Sequence, residues 1–159
     1  MTEHTELALV RRHEGLRLVA YRDTRGNWTI GFGTRITDQV LLAGLDAGGS
    51  LSIDEAMAEA MLDRGVRVAR KQAIDWLSYR RDVGTSARLA AVTSMAYNLG
   101  GAGLLQFRMM QHAALAHDWE GVADEALDSQ WAQQVGSRAV EIAEMLRTNE
   151  WPATMRDGE

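Results

Sequence analysis

The chain is predicted to be an α+β protein, mostly helical, with a small β-hairpin lobe and a helical lobe joined by one long helix. Three observations predict it. Residues 16–34 are rich in β-formers interrupted by a polar turn and two glycines. A helical pattern then runs from about Ser52 to Leu77, and another from Thr85 almost to the end. With 159 residues, 46% hydrophobic and 25% charged, the chain suits a single domain with a real core. We take that domain as 1–159, with about 14–65 in the hairpin-bearing lobe and about 80–159 in the helical lobe. The helix over 3–13 is expected to pack on the latter.

The elements follow in order. Leu7, Val10 and the residues up to Glu14 fit a short amphipathic helix. Leu16, Leu18 and Ala20 alternate with Arg17 and Val19, and Asp23-Thr-Arg-Gly26-Asn27 marks a turn. Trp28-Thr-Ile-Gly-Phe-Gly33 completes the hairpin, with Gly31 and Gly33 permitting a bulge or a close backbone approach. Residues 38–50, with Gly44, Gly48 and Gly49, read as a connecting segment. Ser52-Ile-Asp-Glu55 reads as a capping box opening the long helix. Arg80–Gly84 is loop-like. Leu89, Val92, Met95, Ala96 and Leu99 give an apolar helix that Gly100-Gly101 should stop. Further helices are expected near 103–117, 119–127 and 137–148, the last capped by Ser137. Met109 and Met110 read as core, and Trp28 as a side chain that could touch a ligand.

Composition narrows the function. There is no cysteine, and the four histidines (His4, His13, His112, His117) form no HExxH; His112 and His117 are five apart, the wrong spacing for one helix face. No metal and no other cofactor is expected. A net charge of −5 argues against nucleic acid as a partner. No apolar run approaches the ~18 residues of a membrane span, so membrane insertion is not expected. The start, Met1-Thr-Glu-His-Thr-Glu6, lacks the basic and apolar segments of a signal peptide, which predicts synthesis in the cytoplasm. Gly100-Gly-Ala-Gly103 lacks the Lys-Ser/Thr of a phosphate cradle and reads as a helix stop.

Glu14, Asp23 and Thr29 are the candidates for the chemistry. Singly, each has an ordinary role: a solvated helix-end charge, a turn aspartate, a strand threonine. Together they supply two carboxylates and a hydroxyl on elements that a tight turn could fold towards one another. Inverting glycoside hydrolysis needs one carboxylic acid to protonate the departing oxygen. It needs a second carboxylate, ~6.5–9.5 Å away, to activate a water on the far face of the sugar. A helix end facing a hairpin can span that distance.

The segment resembles the catalytic region of the phage lysozymes (endolysins) of glycoside hydrolase family 24, of the T-even-phage type. Glu14, Asp23, Thr29 and Ile30-Gly-Phe-Gly33 match that family's pattern of Glu, eight residues, Asp, five residues, Thr, then Ile-Gly-x-Gly. The likeness continues in Arg88-Leu-Ala-Ala-Val, Met95-Ala-Tyr-Asn-Leu-Gly100, Ser129-Gln-Trp131, Ser137-Arg-Ala139 and Arg147-Thr-Asn-Glu-Trp151. The resemblance implies a lysozyme-like two-lobe fold. It implies a muramidase cleaving the β-1,4 bond between N-acetylmuramic acid and N-acetylglucosamine in bacterial peptidoglycan, with inversion, for lysis of a phage host. Glu14 would be the general acid, Asp23 the carboxylate that activates water and Thr29 the hydroxyl that holds it. Arg138 falls where the family places an arginine facing the catalytic Glu, and Tyr97 and Asn98 match positions lining the sugar groove. Such an enzyme would be a monomer made in the host cytoplasm, reaching the periplasmic wall through a separate holin-type pore.

Departures from the pattern are local. Thr34 stands where the family usually has His, generally a structural ion-pair partner. Arg35 occupies a position that is often apolar and groove-lining, so it counts among the candidate sugar-binding residues, with contacts that differ from the family's. The chain is acidic where the best-known relatives are basic, although Arg11, Arg12, Arg17, Arg22, Arg25 and Arg35 enrich its N-terminal region. Two other functions stay open on the sequence: a catalytically silent peptidoglycan-binding or virion structural domain, and a lytic transglycosylase. The first would not require the acid and base pair. The second would need only one acidic residue.

Overall fold

A computed structural model describes residues 5–156; His4 and the rest of the extreme N-terminus, Glu3 included, lie outside the described residues. The fold is α+β and mostly helical, with one small antiparallel sheet of three strands in the order β1-β2-β3. The chain divides into two compact units. One comprises residues 11–65, and the other comprises 1–10 together with 66–159.

The first unit carries the sheet. Helix α1 (Glu6–Glu14) enters it and ends at Gly15, whose φ of +65° is the left-handed conformation that terminates helices. Strand β1 (Arg17–Arg22) pairs with β2 (Trp28–Gly31), and β2 pairs with the short β3 (Thr34–Arg35), a strand that the hairpin pattern did not anticipate. Its turn explains the paired glycines, since Gly31 and Gly33 have φ of +71° and +76°. The pairing irregularity lies instead within β1, between Arg17 and Tyr21.

Residues 38–50, expected to be a connection, contain helix α2 (Gln39–Asp46). The Asp38 carboxylate caps it by accepting from the Leu41 amide at 2.9 Å. Three glycines masked an apolar run whose Leu45 reaches the small core of Ile30 and Ile36, with Leu42, Ile53 and Met61 against it. The capping residue of the long helix α3 (Glu55–Leu77) is also corrected. Asp54, not Ser52, accepts from the Met57 amide at 2.8 Å. Ser52 is committed elsewhere, because residues 51–53 run beside β1 and bond to it through the Ala20 and Ile53 amides.

The second unit is helical. Helix α4 (Ala87–Leu105) is capped by Ser86 and buried along most of its length, and Gly100 breaks it at φ +75°, ψ 164°. Four helices follow where three were expected or where none was: α5 (Arg108–Leu115), α6 (Trp119–Leu127), the unanticipated α7 (Gln130–Val135) and α8 (Ser137–Thr148); a last turn forms α9 (Ala153–Arg156). The expected helix over 103–117 is thus divided at Gln106–Phe107. Gly136, at φ +62°, takes the cap position assigned to Ser137. Leu89, Val92, Met95, Ile142 and Leu146 form the heart of the apolar core, with Trp76 and Trp131 also buried in it. Met110 belongs to that core, whereas Met109, its neighbour on α5, is 64% exposed. Arg88 closes α8 by donating to the Leu146 and Arg147 carbonyls at 2.7 and 2.8 Å while stacking over Trp119. No helix among the described residues is long and apolar enough to cross a membrane.

Candidate active site

Glu14 is the last residue of α1, so its side chain leaves the helix where the chain turns into the sheet. One turn earlier, Arg11 grips Glu59 of α3 through two bonds of 3.1 and 2.7 Å, which anchors this end of the helix. The β2–β3 turn comes very close to the Glu14 carboxylate. A Cβ built on Gly33 would lie 2.8 Å from Glu14 Oε2. The positive φ of the position favours glycine, and any side chain there would also make the Glu14 carboxylate give way, which is the physical content of the second glycine in Ile30-Gly-Phe-Gly33.

Asp23 opens the β1–β2 turn and locks it. Its Oδ1 accepts from the Arg25 amide at 2.9 Å and the Asn27 amide at 2.8 Å, and its own amide donates to the Asn27 carbonyl at 2.9 Å. Partial burial pushes the Asp23 carboxyl up. The two amides, the Asn27 side chain and the charge of Arg35 outweigh that and hold it below its ordinary 3.8. Asp23 is therefore ionised at neutral pH, the state a carboxylate needs to act on water and not as a proton donor.

Thr29 is 4% exposed in the middle strand, and its hydroxyl donates to the Asn27 carbonyl at 3.0 Å. That commits its proton and leaves its oxygen lone pairs as acceptors. The register places Tyr21 of β1 and Arg35 of β3 directly opposite Thr29, one on each side. Residues so paired share one face of a sheet. Burial raises the Tyr21 phenol and Arg17 over its ring opposes that, while the charges of Glu14 and Asp23 both add to the rise. The phenol thus lies within electrostatic reach of both carboxylates.

Beside the turn, a cavity of about 400 Å³ is lined by Arg22, Asn27, Trp28, Arg35, Gln39 and Asp46, among others. The Trp28 indole donates to Asp46 at 2.8 Å, Arg22 donates to the same oxygen at 2.7 Å, and the Arg22 guanidinium lies over the indole.

Four of the sequence-predicted residues, Glu14, Asp23, Thr29 and Arg35, therefore share one unit. Tyr97, Asn98 and Arg138 belong to the helical unit. There Tyr97 is half-buried, Arg138 lies in the first turn of α8, and Asn98 accepts from the Trp131 indole at 3.1 Å. Among the described residues no group of three or more His, Asp or Glu converges as a metal site. Sequence reasoning missed Asn27, Tyr21 and Asp46. Asn27 follows the turn glycine, and Tyr21 lies two residues before Asp23 on an alternating strand. Both signals were present but weak.

The mostly helical α+β architecture with its small antiparallel sheet is that of a lysozyme-like fold. The comparison with known sequences narrows the class: the phage lysozyme family model matches residues 11–149, and the chain belongs to that family. It is 31% identical over 160 residues to the pre-baseplate central spike protein Gp5 of Enterobacteria phage T4, an alignment covering 88% of this chain. The chain spans only 27% of that longer protein. It is 25% identical over 156 residues to the probable T4-type lysozyme 1 of Dictyostelium discoideum, covering 88% of this chain and 92% of the relative.

Proposed function

We propose that the protein is a muramidase that hydrolyses the β-1,4 bond between N-acetylmuramic acid and N-acetylglucosamine in bacterial peptidoglycan, with inversion. Glu14 protonates the departing oxygen. Asp23 accepts one hydrogen of the attacking water, and the Thr29 oxygen, its own proton spent on Asn27, accepts the other. A water held so directs a lone pair towards the sugar carbon. Tyr97, Asn98 and Arg138 are proposed as substrate contacts on the family's pattern. The observation that carries the reading is the contrast at the hairpin: an Asp23 carboxyl held ionised by its turn, in the same unit as a helix-end Glu14 seated against Gly33.

Purified peptidoglycan incubated with the wild type and with Glu14→Gln tests it, with products read by reducing-end assay and mass spectrometry. Reducing muramic-acid ends from the wild type, lowered by about 10²–10⁴-fold in the variant, are the expected result for a general acid. Anhydro products would turn the reading to a transglycosylase, and wall binding without cleavage would sink the enzyme altogether.

The reading extends to phage-induced lysis of a bacterial host. A protein made in the host cytoplasm would act on the periplasmic wall after release through a separate holin-type pore. The match to a spike protein favours a second reading, a virion-borne lysozyme domain. Fractionating an infected culture decides between them: activity in the lysate supernatant supports the first, and activity sedimenting with intact particles supports the second.

A further inference from the structure

Asn27 is bonded to Asp23, Thr29 and Arg35 of the hairpin half of the site. Its backbone amide donates to Asp23 Oδ1, and its carbonyl accepts from both the Asp23 amide and the Thr29 hydroxyl. Its side-chain amide is turned by Arg35, whose Nη2 donates to Asn27 Oδ1 at 2.7 Å; the Asn27 NH2 group then points to Asp23 Oδ2 at a longer 3.4 Å. Arg35 is itself placed by the β2–β3 register, opposite Thr29. Its side chain is exposed, and it has no part in either apolar core.

We propose that Asn27 and Arg35 are positioning residues for the hydrolytic water, Arg35 clamping the Asn27 amide so that Asn27 aims the Asp23 carboxylate and the Thr29 hydroxyl together. This rests on the muramidase reading. It also reassigns Arg35 from a contact with the sugar to a brace behind the carboxylate.

The physical reasons are two. A guanidinium bond to the asparagine oxygen fixes which end of the amide faces Asp23, a choice the turn alone leaves open. A single residue bonded to both water-holding groups also makes their separation rigid, and an ångström of misplacement at a reacting centre costs on the order of 10²-fold in rate. The groups facing Asp23 are the Arg25 and Asn27 amides from the turn, the Asn27 side chain, Arg35 from β3 and the Tyr21 phenol from β1. Of these, Arg35 is the charged side chain that depresses Asp23.

The test compares Arg35→Ala, Arg35→Lys and Asn27→Ala with the wild type on peptidoglycan fragments of defined length. Arg35→Ala should lower kcat roughly ten-fold with KM nearly unchanged, the signature of lost transition-state positioning. Its acid limb should move to higher pH, because Asp23 loses a stabilising positive charge. Arg35→Lys, which keeps a charge and a donor, should recover most of kcat. Asn27→Ala should lose more than Arg35→Ala. A raised KM with unchanged kcat, or an acid limb that does not move, would overturn the proposal in favour of a sugar contact. Carbon-13 NMR titration of the Asp23 carboxyl in wild type and Arg35→Ala supplies a readout without catalysis. A carboxyl titration that stays put on removing Arg35 sinks the brace. A wild type that releases no reducing ends sinks the muramidase reading instead.

Discussion

The two units of this protein are stabilised by different means. The helical unit holds a continuous apolar core, with Leu89, Val92, Met95, Ile142 and Leu146 fully buried. The unit of residues 11–65 has a small core around Ile30, Ile36 and Leu45, and its form near the site depends on bonds to charged and amide groups: Arg11 to Glu59, Asp23 to the turn amides, Arg35 to Asn27. Burial is tolerant of small shifts in side-chain position, whereas a carboxylate that must accept two amides is aimed by them. The proposed chemistry therefore lies on the part of the chain that is held by direction and not by area.

The sharpest way to break that contrast is to remove core from the helical unit. Ile142→Ala should cost about 2–5 kcal/mol, since a fully buried side chain leaves a cavity. Urea unfolding measures this, and the fraction that remains folded should keep its kcat. A fall in kcat of the folded enzyme would show that the two units are not separable in this way.

Glu6 is the exception within the helical unit, a buried carboxylate bonded to Arg70 at 3.2 Å and to the Thr85 hydroxyl at 3.2 Å. Glu6→Gln breaks the ion pair and leaves the Arg70 charge partly buried, at about 2–3 kcal/mol, somewhat below a wholly enclosed pair because Arg70 is 30% exposed. Thermal melting should register the loss; a variant as stable as the wild type would mean the pair merely offsets its own desolvation.

Gly33→Ala should act on the hairpin in the opposite sense. Its strain of about 1–2 kcal/mol is modest, yet the added methyl meets the Glu14 carboxylate and must displace it. Activity should drop at least roughly ten-fold while the fold survives. Full activity in this variant would mean that the position of Glu14 is not what the hairpin protects.

The smallest effect concerns acid. Asp23 has its folded pKa depressed, so its contribution to stability is complete above its unfolded value and disappears as pH falls through the folded one. The stability difference between wild type and Asp23→Asn should be full at pH 6 and shrink as the pH drops below about 4. Urea melts at pH 6 and pH 3 compare the two, and a difference that grows on acidification contradicts the sign.

Helices with clear periodicity and the hairpin with its Asp-Thr-Arg-Gly turn were legible because their signals are local. The misassigned pieces share another cause. Helix α2 was hidden by Gly44, Gly48 and Gly49, and Ser52 lost its cap because the neighbouring β1 edge claimed residues 51–53. Ser137 gave way to Gly136 because α7 ends in a positive-φ turn immediately before α8. In each case a partner distant in sequence, or the geometry of an adjoining element, overrode a local preference of about 1 kcal/mol.

The same division holds at the site. Residue type and spacing, together with the family resemblance, single out Glu14, Asp23 and Thr29 as candidates, because a carboxylate and a hydroxyl carry their chemistry wherever they stand. Which groups surround them was a matter of the folded chain. Arg35 reaches Asn27 only because β3 pairs with β2, and Gly33 guards Glu14 only because a turn returns to the end of α1. Hydrogen bonds and steric clearance depend on distances of a few tenths of an ångström, and pairing between strands sets those distances where spacing along the chain cannot.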